Sequence, residues 1–144
     1  MELNISKTKE IILGQLAVTN LPLFSISSQT IDRVTSFKLF GVHTDSSLSW
    51  SIHTDHIVKK ATTRLYFLKQ LKRAGLFSSH LLHFYITVIR PVLEYCAPVW
   101  HYAITKAQSE SLEAIQKRAI HIVHNLTRGM SYLSMLLYLS LIHI

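Results

Sequence analysis

The chain has 144 residues, of which 49% are hydrophobic, so it is long enough to bury one core of ordinary domain size. Its formal net charge of +7 points either to an anionic partner, with nucleic acid the leading class, or merely to a basic surface. The single Cys96 excludes a framework of internal disulfides, and the longest uncharged apolar run, residues 130–144, falls short of the roughly twenty residues that a membrane-spanning helix needs.

The first 48 residues have the pattern of short strands separated by loops. Residues 11–13, Ile-Ile-Leu, have the length and β-branched content of a strand. Residues 19–32 are rich in Ser and Thr around Pro22, which predicts a loop or a hairpin. Residues 36–45 alternate apolar and polar side chains, and Gly41 predicts a bend or a close backbone approach there.

Residues 54–76 predict a long helix, around which the rest of the chain is organised. Its apolar side chains fall on one arc of a 3.6-residue wheel: Ile57, Val58, Ala61, Leu65, Leu68 and Leu71. The opposite side carries Lys59, Tyr66, Lys69 and Arg73, and Gly75 predicts a left-handed stop. A basic ridge with an aromatic ring suits a phosphate backbone, although charged helix faces are more often plain solvated surface.

Further helices are predicted downstream. Residues 78–89, with Ser78 or Ser79 as N-cap, are apolar nearly all round and predict a central buried helix. Pro91 predicts a kink or a restart, and Pro98 predicts a second break.

The last predicted helix is the best marked. Thr105 and Gln108 form a capping box, and Gly129 ends the helix. Its apolar stripe comprises Leu112, Ile115, Ala119, Ile122, Val123 and Leu126. Its other face carries a second basic stripe, made of Lys117, His121, His124 and Arg128.

We interpret the histidine, cysteine and several aromatic side chains as structural and not as metal ligands or catalytic groups. His-x-Asp occurs at residues 43–45 and 53–55, but the third ligand of an iron facial triad would have to come from a β-barrel that this helical pattern does not predict. Two histidine pairs lack a nearby carboxylate or thiolate to complete a zinc site: His80 with His83, and His121 with His124. We interpret Cys96 as a buried small hydrophobe and four rings as core: Trp50, Tyr95, Trp100 and Tyr102.

Five blocks together resemble the reverse transcriptase of non-LTR (LINE-type) retrotransposons. They are NISKTK at 4–9, FKLFGVHTDSSLSW at 37–50, KKATTRLYFLKQLKRAGL at 59–76, FYITVIRPVLEYCAPVWH at 84–101 and LEAIQKRAI at 112–120. The resemblance covers about residues 1–128. It implies an α+β chain that is mostly helical: a palm remnant with a primer-grip-like hairpin at 1–48, a thumb-like bundle of three to four helices at 49–129, and an aberrant apolar tail at 130–144.

The resemblance also implies roles for individual residues. The palm motif corresponds to Asn4, Lys7, Thr8 and Lys9, and the primer grip to Phe37, Gly41 and Val42. Candidate contacts to a template-primer duplex are Lys59, Lys60, Arg64, Tyr66, Lys69, Lys72, Arg73, Lys117 and Arg128.

The catalytic centre of that family is not in this chain. Polymerases need adjacent carboxylates that hold two metal ions, magnesium in this family, whereas Asp32, Asp45 and Asp55 are the only aspartates here and no two are adjacent. We therefore expect no cofactor and no polymerase activity from the isolated chain, and at most binding of an RNA/DNA or RNA duplex. We expect an intracellular location, nuclear or cytoplasmic, with neither a membrane nor a small-molecule partner.

Two alternatives remain open: a nonfunctional translated transposon remnant and a helical protein-interaction module. Residues 37–76 also resemble a short domain at the N-terminus of AlkB-type tRNA-modifying dioxygenase/methyltransferases. That resemblance implies a shared helical module only, because neither the oxygenase barrel nor a methyl-donor glycine loop is recognisable in the sequence.

Overall fold

The computed structural model describes residues 4–124 together with Leu133, Ser134 and Leu137. The chain divides into two units, Met1–His53 and Thr54–Ile144. Short strands occupy the first unit and helices dominate the second, which confirms the prediction of an α+β fold that is mostly helical. Among the described residues, no helix is both long and apolar enough to cross a bilayer.

The strands of the first unit form three separate pairs. Strand β1 (Lys9–Glu10) pairs in parallel with β4 (Asp32–Arg33), while β2 (Ser25–Ile26) and β3 (Gln29–Thr30) form an antiparallel hairpin. A second hairpin joins β5 (Ser36–Leu39) to β6 (Val42–Asp45). The prediction of a strand at residues 11–13 is wrong. The paired residues are those of β1, immediately before that segment, and short 3-10 turns at Ile5–Lys7 and Gly14–Val18 lie on either side.

Both hairpins are closed by two residues in the left-handed region. Ser27 and Ser28 have φ of 50° and 66°, and Phe40 and Gly41 have φ of 47° and 85°. Two consecutive positive φ values match the right-handed twist of the flanking strands. The predicted bend at Gly41 is thus a full reversal of the chain.

An ordered turn connects β6 to the first long helix, α1 (Ser51–Arg73). The Asp45 carboxylate accepts hydrogen bonds from the Ser49 N–H at 3.0 Å, the Ser49 hydroxyl at 2.5 Å and the Ser47 hydroxyl at 3.0 Å. Burial raises the pKa of Asp45, but these hydrogen bonds outweigh it and hold that pKa below its ordinary value of 3.8. Trp50 and His53 are buried next to this turn, with ring centroids 6.3 Å apart.

Helix α1 buries the predicted arc. Ile57, Ala61, Leu65 and Leu68 are buried, and Val58 and Leu71 are half-buried at its margins. The helix ends in a Schellman motif, in which the Leu76 N–H donates to the Leu71 carbonyl and the Gly75 N–H donates to the Lys72 carbonyl. Gly75 has φ of 86°, which confirms the predicted left-handed stop.

The middle helix is interrupted before Pro91. Helix α2 (Ser78–Phe84) runs into a π-helical turn (Tyr85–Ile89) and then into α3 (Arg90–Glu94). Proline has no N–H to donate to the preceding turn, so the ladder is rearranged there, as predicted. The predicted cap is wrong: Phe77 is the N-cap and Ser78 is already helical, because Phe77 has the extended φ and ψ that this position requires.

A second break precedes the short helix α4 (Ala97–Trp100), where Cys96 has φ of 53°. Trp100 is 1% exposed and its indole N–H donates to the Tyr95 carbonyl at 2.9 Å, so this ring and Trp50 are core residues as predicted. The core prediction is wrong for Tyr95 and Tyr102, which are exposed, and Cys96 is only half-buried. Tyr95 directly follows α3 and Tyr102 lies in the short 3-10 turn after α4, and both rings face solvent.

Helix α5 (Lys106–Val123) has the predicted capping box. The Thr105 N–H donates to Gln108 Oε1 at 2.8 Å and the Gln108 N–H donates to Thr105 Oγ1 at 3.3 Å. The buried stripe is Leu112, Ile115, Ala119, Ile120 and Val123. The described helix stops at Val123 with an extended His124, and the predicted Leu126, Arg128 and Gly129 lie outside the described residues, as does most of the tail at 130–144.

Candidate nucleic-acid interface

The ridge predicted on α1 is exposed along its length. Lys59, Tyr66, Lys69 and Arg73 are all solvent-exposed, and they lie within roughly 80° of one another around the helix, which turns about 100° per residue. From Lys59 to Arg73 the ridge extends about 21 Å along the axis at about 1.5 Å per residue. Among the described residues, none of its three cations makes an ion pair or a side-chain hydrogen bond.

Arg64 and Lys72 belong to the interior side of the same helix. Arg64 Nη1 donates to the Val88 carbonyl in the π-helical turn, and Lys72 Nζ donates to the Ile122 carbonyl on α5. Both side chains are half-buried. On the helical wheel they fall within the apolar arc, and their hydrogen bonds join α1 to the neighbouring helical segments.

Lys60 is exposed but lies on a different flank. It is about 100° around the helix from Lys59 and lies about two turns before Phe67, which is 53% exposed. The Tyr66 and Phe67 rings meet edge to face, with centroids 5.9 Å apart. Lys60 and Phe67 therefore border the ridge rather than belong to it.

Helix α5 contributes a cation, Arg118, that was not among the predicted contacts. The predicted Lys117 is half-buried, and its Nζ lies 3.9 Å from the Glu113 carboxylate. Its neighbour Arg118 is exposed and has no ion pair among the described residues. The signal was available, because Arg118 is three residues before His121 and four before Ile122, and such residues share a helix face.

A groove of about 490 Å³ lies between α1 and α5. Its lining comes from both helices: Thr62, Leu65, Tyr66, Lys69, Arg118, His121 and Ile122. Two cations and an aromatic ring surround an apolar floor, and no lining residue is acidic. The hydrogen bond from Lys72 to the Ile122 carbonyl ties the two walls together. We call the exposed cations Lys59, Lys69, Arg73 and Arg118, with Tyr66, the basic face.

The predicted palm motif forms a local turn in the first unit. Asn4 Oδ1 accepts from the Lys7 N–H at 3.3 Å and the Ser6 hydroxyl at 2.7 Å, and the Asn4 carbonyl accepts from the Thr8 hydroxyl at 2.9 Å. Lys7 is exposed. Lys9 Nζ lies 2.5 Å from the Asp32 carboxylate, and this hydrogen bond and charge lower the pKa of Asp32. Lys9 is thus engaged by the pairing of β1 with β4.

The residues predicted as primer grip occupy the β5–β6 hairpin. Phe37 is 41% exposed on β5, Gly41 is the second turn residue and Val42 is buried at the start of β6. The tip is apolar, because Phe40 is 85% exposed and Leu39 is also exposed. The structure therefore presents this segment as a hairpin with an exposed hydrophobic end.

The histidines predicted to be structural are placed in different environments. His53 is 2% exposed, and its Nδ1 accepts from the His43 N–H at 3.3 Å. His80 and His83 are exposed, while His121 and His124 are half-buried. Across residues 4–124, no cluster of three His, Cys, Asp or Glu side chains is close enough to hold a metal ion.

One family model matches part of the chain. It is described as the N-terminal region of alkylated DNA repair protein alkB homolog 8 and covers residues 50–90, less than a third of the sequence. The matched stretch contains α1, which carries the basic ridge, together with α2 and the π-helical turn. No curated protein and no solved structure matches the chain.

Proposed function

We propose that the helical unit binds the sugar-phosphate backbone of an RNA or RNA/DNA duplex through the basic face. The observation that carries the proposal is the set of exposed cations that have no carboxylate partner in the described structure. Acidic residues are absent from the sequence between Asp55 and Glu94 and again after Glu113. The field outside α1 and α5 is therefore positive, and a polyanion that binds there releases condensed counterions.

We further propose that the chain derives from a LINE-type reverse transcriptase, as the end of its palm and its thumb. The order of the five sequence blocks supports this lineage, and so does the antiparallel hairpin that the FKLFGVHTD block forms. The chain carries no adjacent aspartates, so its inherited role is to hold nucleic acid and not to extend it. Magnesium belongs to the catalytic centre of the parent family and has no assigned ligand in this chain.

Salt dependence tests duplex binding directly. If the four cations of the basic face each neutralise one phosphate, log K should fall with log salt at a slope of about −3.6, or about 150-fold between 50 and 200 mM salt, taking −0.9 per contact. We would measure fluorescence anisotropy of a labelled RNA/DNA hybrid with the full chain. A slope near zero would refute backbone binding.

A pair of charge reversals locates the interface. Lys59→Glu with Lys69→Glu should abolish measurable binding and leave helix content by circular dichroism unchanged, because both side chains are exposed. The matched control is Lys38→Glu with Lys106→Glu, which changes net charge equally at exposed residues that are not part of the basic face. Equal loss in both double variants would show that net charge, and not the basic face, determines binding.

A helical protein-interaction module is the second candidate. It is favoured by the family match over residues 50–90 and by exposed rings in the same stretch, with Phe77 at 75% exposure and Phe67 at 53%. This reading predicts a stable oligomer or complex whose formation does not respond to nucleic acid. Light scattering of the purified chain with and without the hybrid separates the two functions.

The third candidate, a nonfunctional remnant, concerns the first unit. Its strand pairs of two to four residues leave unpaired edges, and such edges promote aggregation. Fast amide exchange throughout residues 1–45 together with concentration-dependent aggregation would favour this interpretation. Protected amides in β5 and β6 would contradict it.

A further inference from the structure

The α1–α5 groove is a concave site, whereas backbone binding needs only a row of cations on the surface. A duplex presents phosphates on its outer surface and keeps its bases stacked inside, so a flat row of cations is enough to follow it. The groove instead has a volume of about 490 Å³, within the range of about 300–1,000 Å³ that is usual for small-molecule sites. Its occupant should therefore be a unit that can leave the stack.

The lining separates into an anion-binding part and an apolar part. Lys69 and Arg118 approach the groove from different helices, and both are exposed. A guanidinium fork and an ammonium group are suited to phosphate oxygens. The sequence has no acidic residue within ten residues of Lys69 and none after Glu113. A bound phosphate would therefore meet no repelling carboxylate near Lys69 on α1 or after Arg118 on α5.

The apolar part fits a planar ring. Leu65 is buried at the floor and Ile122 is half-buried beside it. Tyr66 is 57% exposed, and its ring is held by the edge-to-face contact with Phe67 at 5.9 Å and 70°. Bases stack on such exposed, oriented aromatic rings with little sequence preference.

We propose that this groove binds one unpaired nucleotide, with its phosphate between Lys69 and Arg118 and its base against Tyr66. The nucleotide can be a free mononucleotide or the overhanging end of a strand, since both present the same phosphate and base. Lys59 lies about 10 Å and Arg73 about 10 Å along α1 from Tyr66 at about 1.5 Å per residue, so the flanking backbone of a strand can continue along the ridge. This inference deepens the proposed function and rests on it for the strand-end form.

The test compares a blunt RNA/DNA hybrid with the same hybrid bearing a two-nucleotide 3′ overhang. Stacking of one base should make the overhang bind at least about fivefold tighter. Tyr66→Leu and Arg118→Gln should remove this difference, Tyr66→Phe should keep it, and the control Lys106→Gln should leave it unchanged. Adenosine 5′-monophosphate should compete with the overhang substrate at lower concentration than inorganic phosphate.

The outcomes separate the two proposals. Salt-dependent binding with equal affinity for blunt and overhanging hybrids overturns the nucleotide groove and leaves the proposed function in place. Absence of duplex binding, with adenosine 5′-monophosphate shifting NMR resonances of Tyr66 and Arg118, overturns the proposed function and supports the groove for a free nucleotide. A polyglutamate peptide that competes as well as adenosine 5′-monophosphate would show a general anion site and overturn the proposal.

Discussion

The hydrogen bond from Arg64 to the Val88 carbonyl predicts that Arg64 stabilises the fold, whereas the exposed cations of the same helix bind nucleic acid. Replacing Arg64 with Met keeps an unbranched apolar stem at a half-buried site but removes the charged donor. Hydrogen bonds to charged groups contribute about 1.5–3 kcal/mol, so we expect the free energy of unfolding to fall by about 2 kcal/mol. For a chain near 150 residues this corresponds to a decrease of roughly 4–8 °C in Tm.

The matched substitution is Lys69→Met on the exposed ridge. Because the described Lys69 makes no ion pair or side-chain hydrogen bond, its removal should change the free energy of unfolding by no more than about 0.5 kcal/mol. It should weaken binding of the RNA/DNA hybrid severalfold and reduce the salt slope by about 0.9. Arg64→Met should leave both the affinity and the slope unchanged at temperatures where the variant is folded.

Urea unfolding followed by circular dichroism and hybrid binding by anisotropy measure the two effects separately. The reasoning would be refuted if Arg64→Met unfolded like the parent chain but bound the hybrid more weakly, since Arg64 would then contact nucleic acid and not the π-helical turn. It would also fail if Lys69→Met lost stability as Arg64→Met is expected to.

Three more predictions concern the ends of helices and the turn before α1. Gly75→Ala should lower the free energy of unfolding by about 1–2 kcal/mol, measured in urea, because φ of 86° is unfavourable for a residue with a Cβ. Thr105→Ala should cost about 1 kcal/mol through loss of the α5 N-cap, while Thr105→Ser should retain most of that stability. The hydrogen bonds to Asp45 hold its pKa below the ordinary value of 3.8 in the folded chain. The stability that Asp45 contributes is therefore fully present above the unfolded-state pKa and is lost as pH falls through the folded-state pKa. Asp45→Asn should flatten the decline in thermal stability below about pH 4, and an unchanged acid profile would contradict this.

Local patterns were sufficient for the buried face of α1, for its C-terminal end and for the start of α5. The apolar arc of α1, the left-handed Gly75 and the Thr105–Gln108 box depend on residues within one or two turns of each other. Such features are decided by backbone geometry and nearby hydrogen bonds, and these are readable from spacing. The Phe77 cap was missed because a serine that begins α2 resembles a cap residue in sequence.

The strands were harder to place than the helices. The β1–β4 pair joins Lys9 to Asp32 and Glu10 to Arg33 across more than twenty residues, whereas the apolar segment at 11–13 is the stronger strand by composition. Two-residue strands carry almost no periodic signal. Pairing across the sequence, and not propensity, determined which residues became extended.

The charge of the chain and the existence of a basic ridge are properties of the sequence alone, since they follow from counting residues and from the helical period. Which cations remain exposed is a property of the tertiary structure. Arg64 and Lys72 reach carbonyls 24 and 50 residues away in sequence, and Arg118 and Lys69 line one groove that exists only after α1 and α5 pack. A carbonyl left open by an irregular turn, as at Val88, or by the last turn of a helix, as at Ile122, can accept a hydrogen bond from a long cationic side chain. No spacing rule identifies such a partner before the helices are placed.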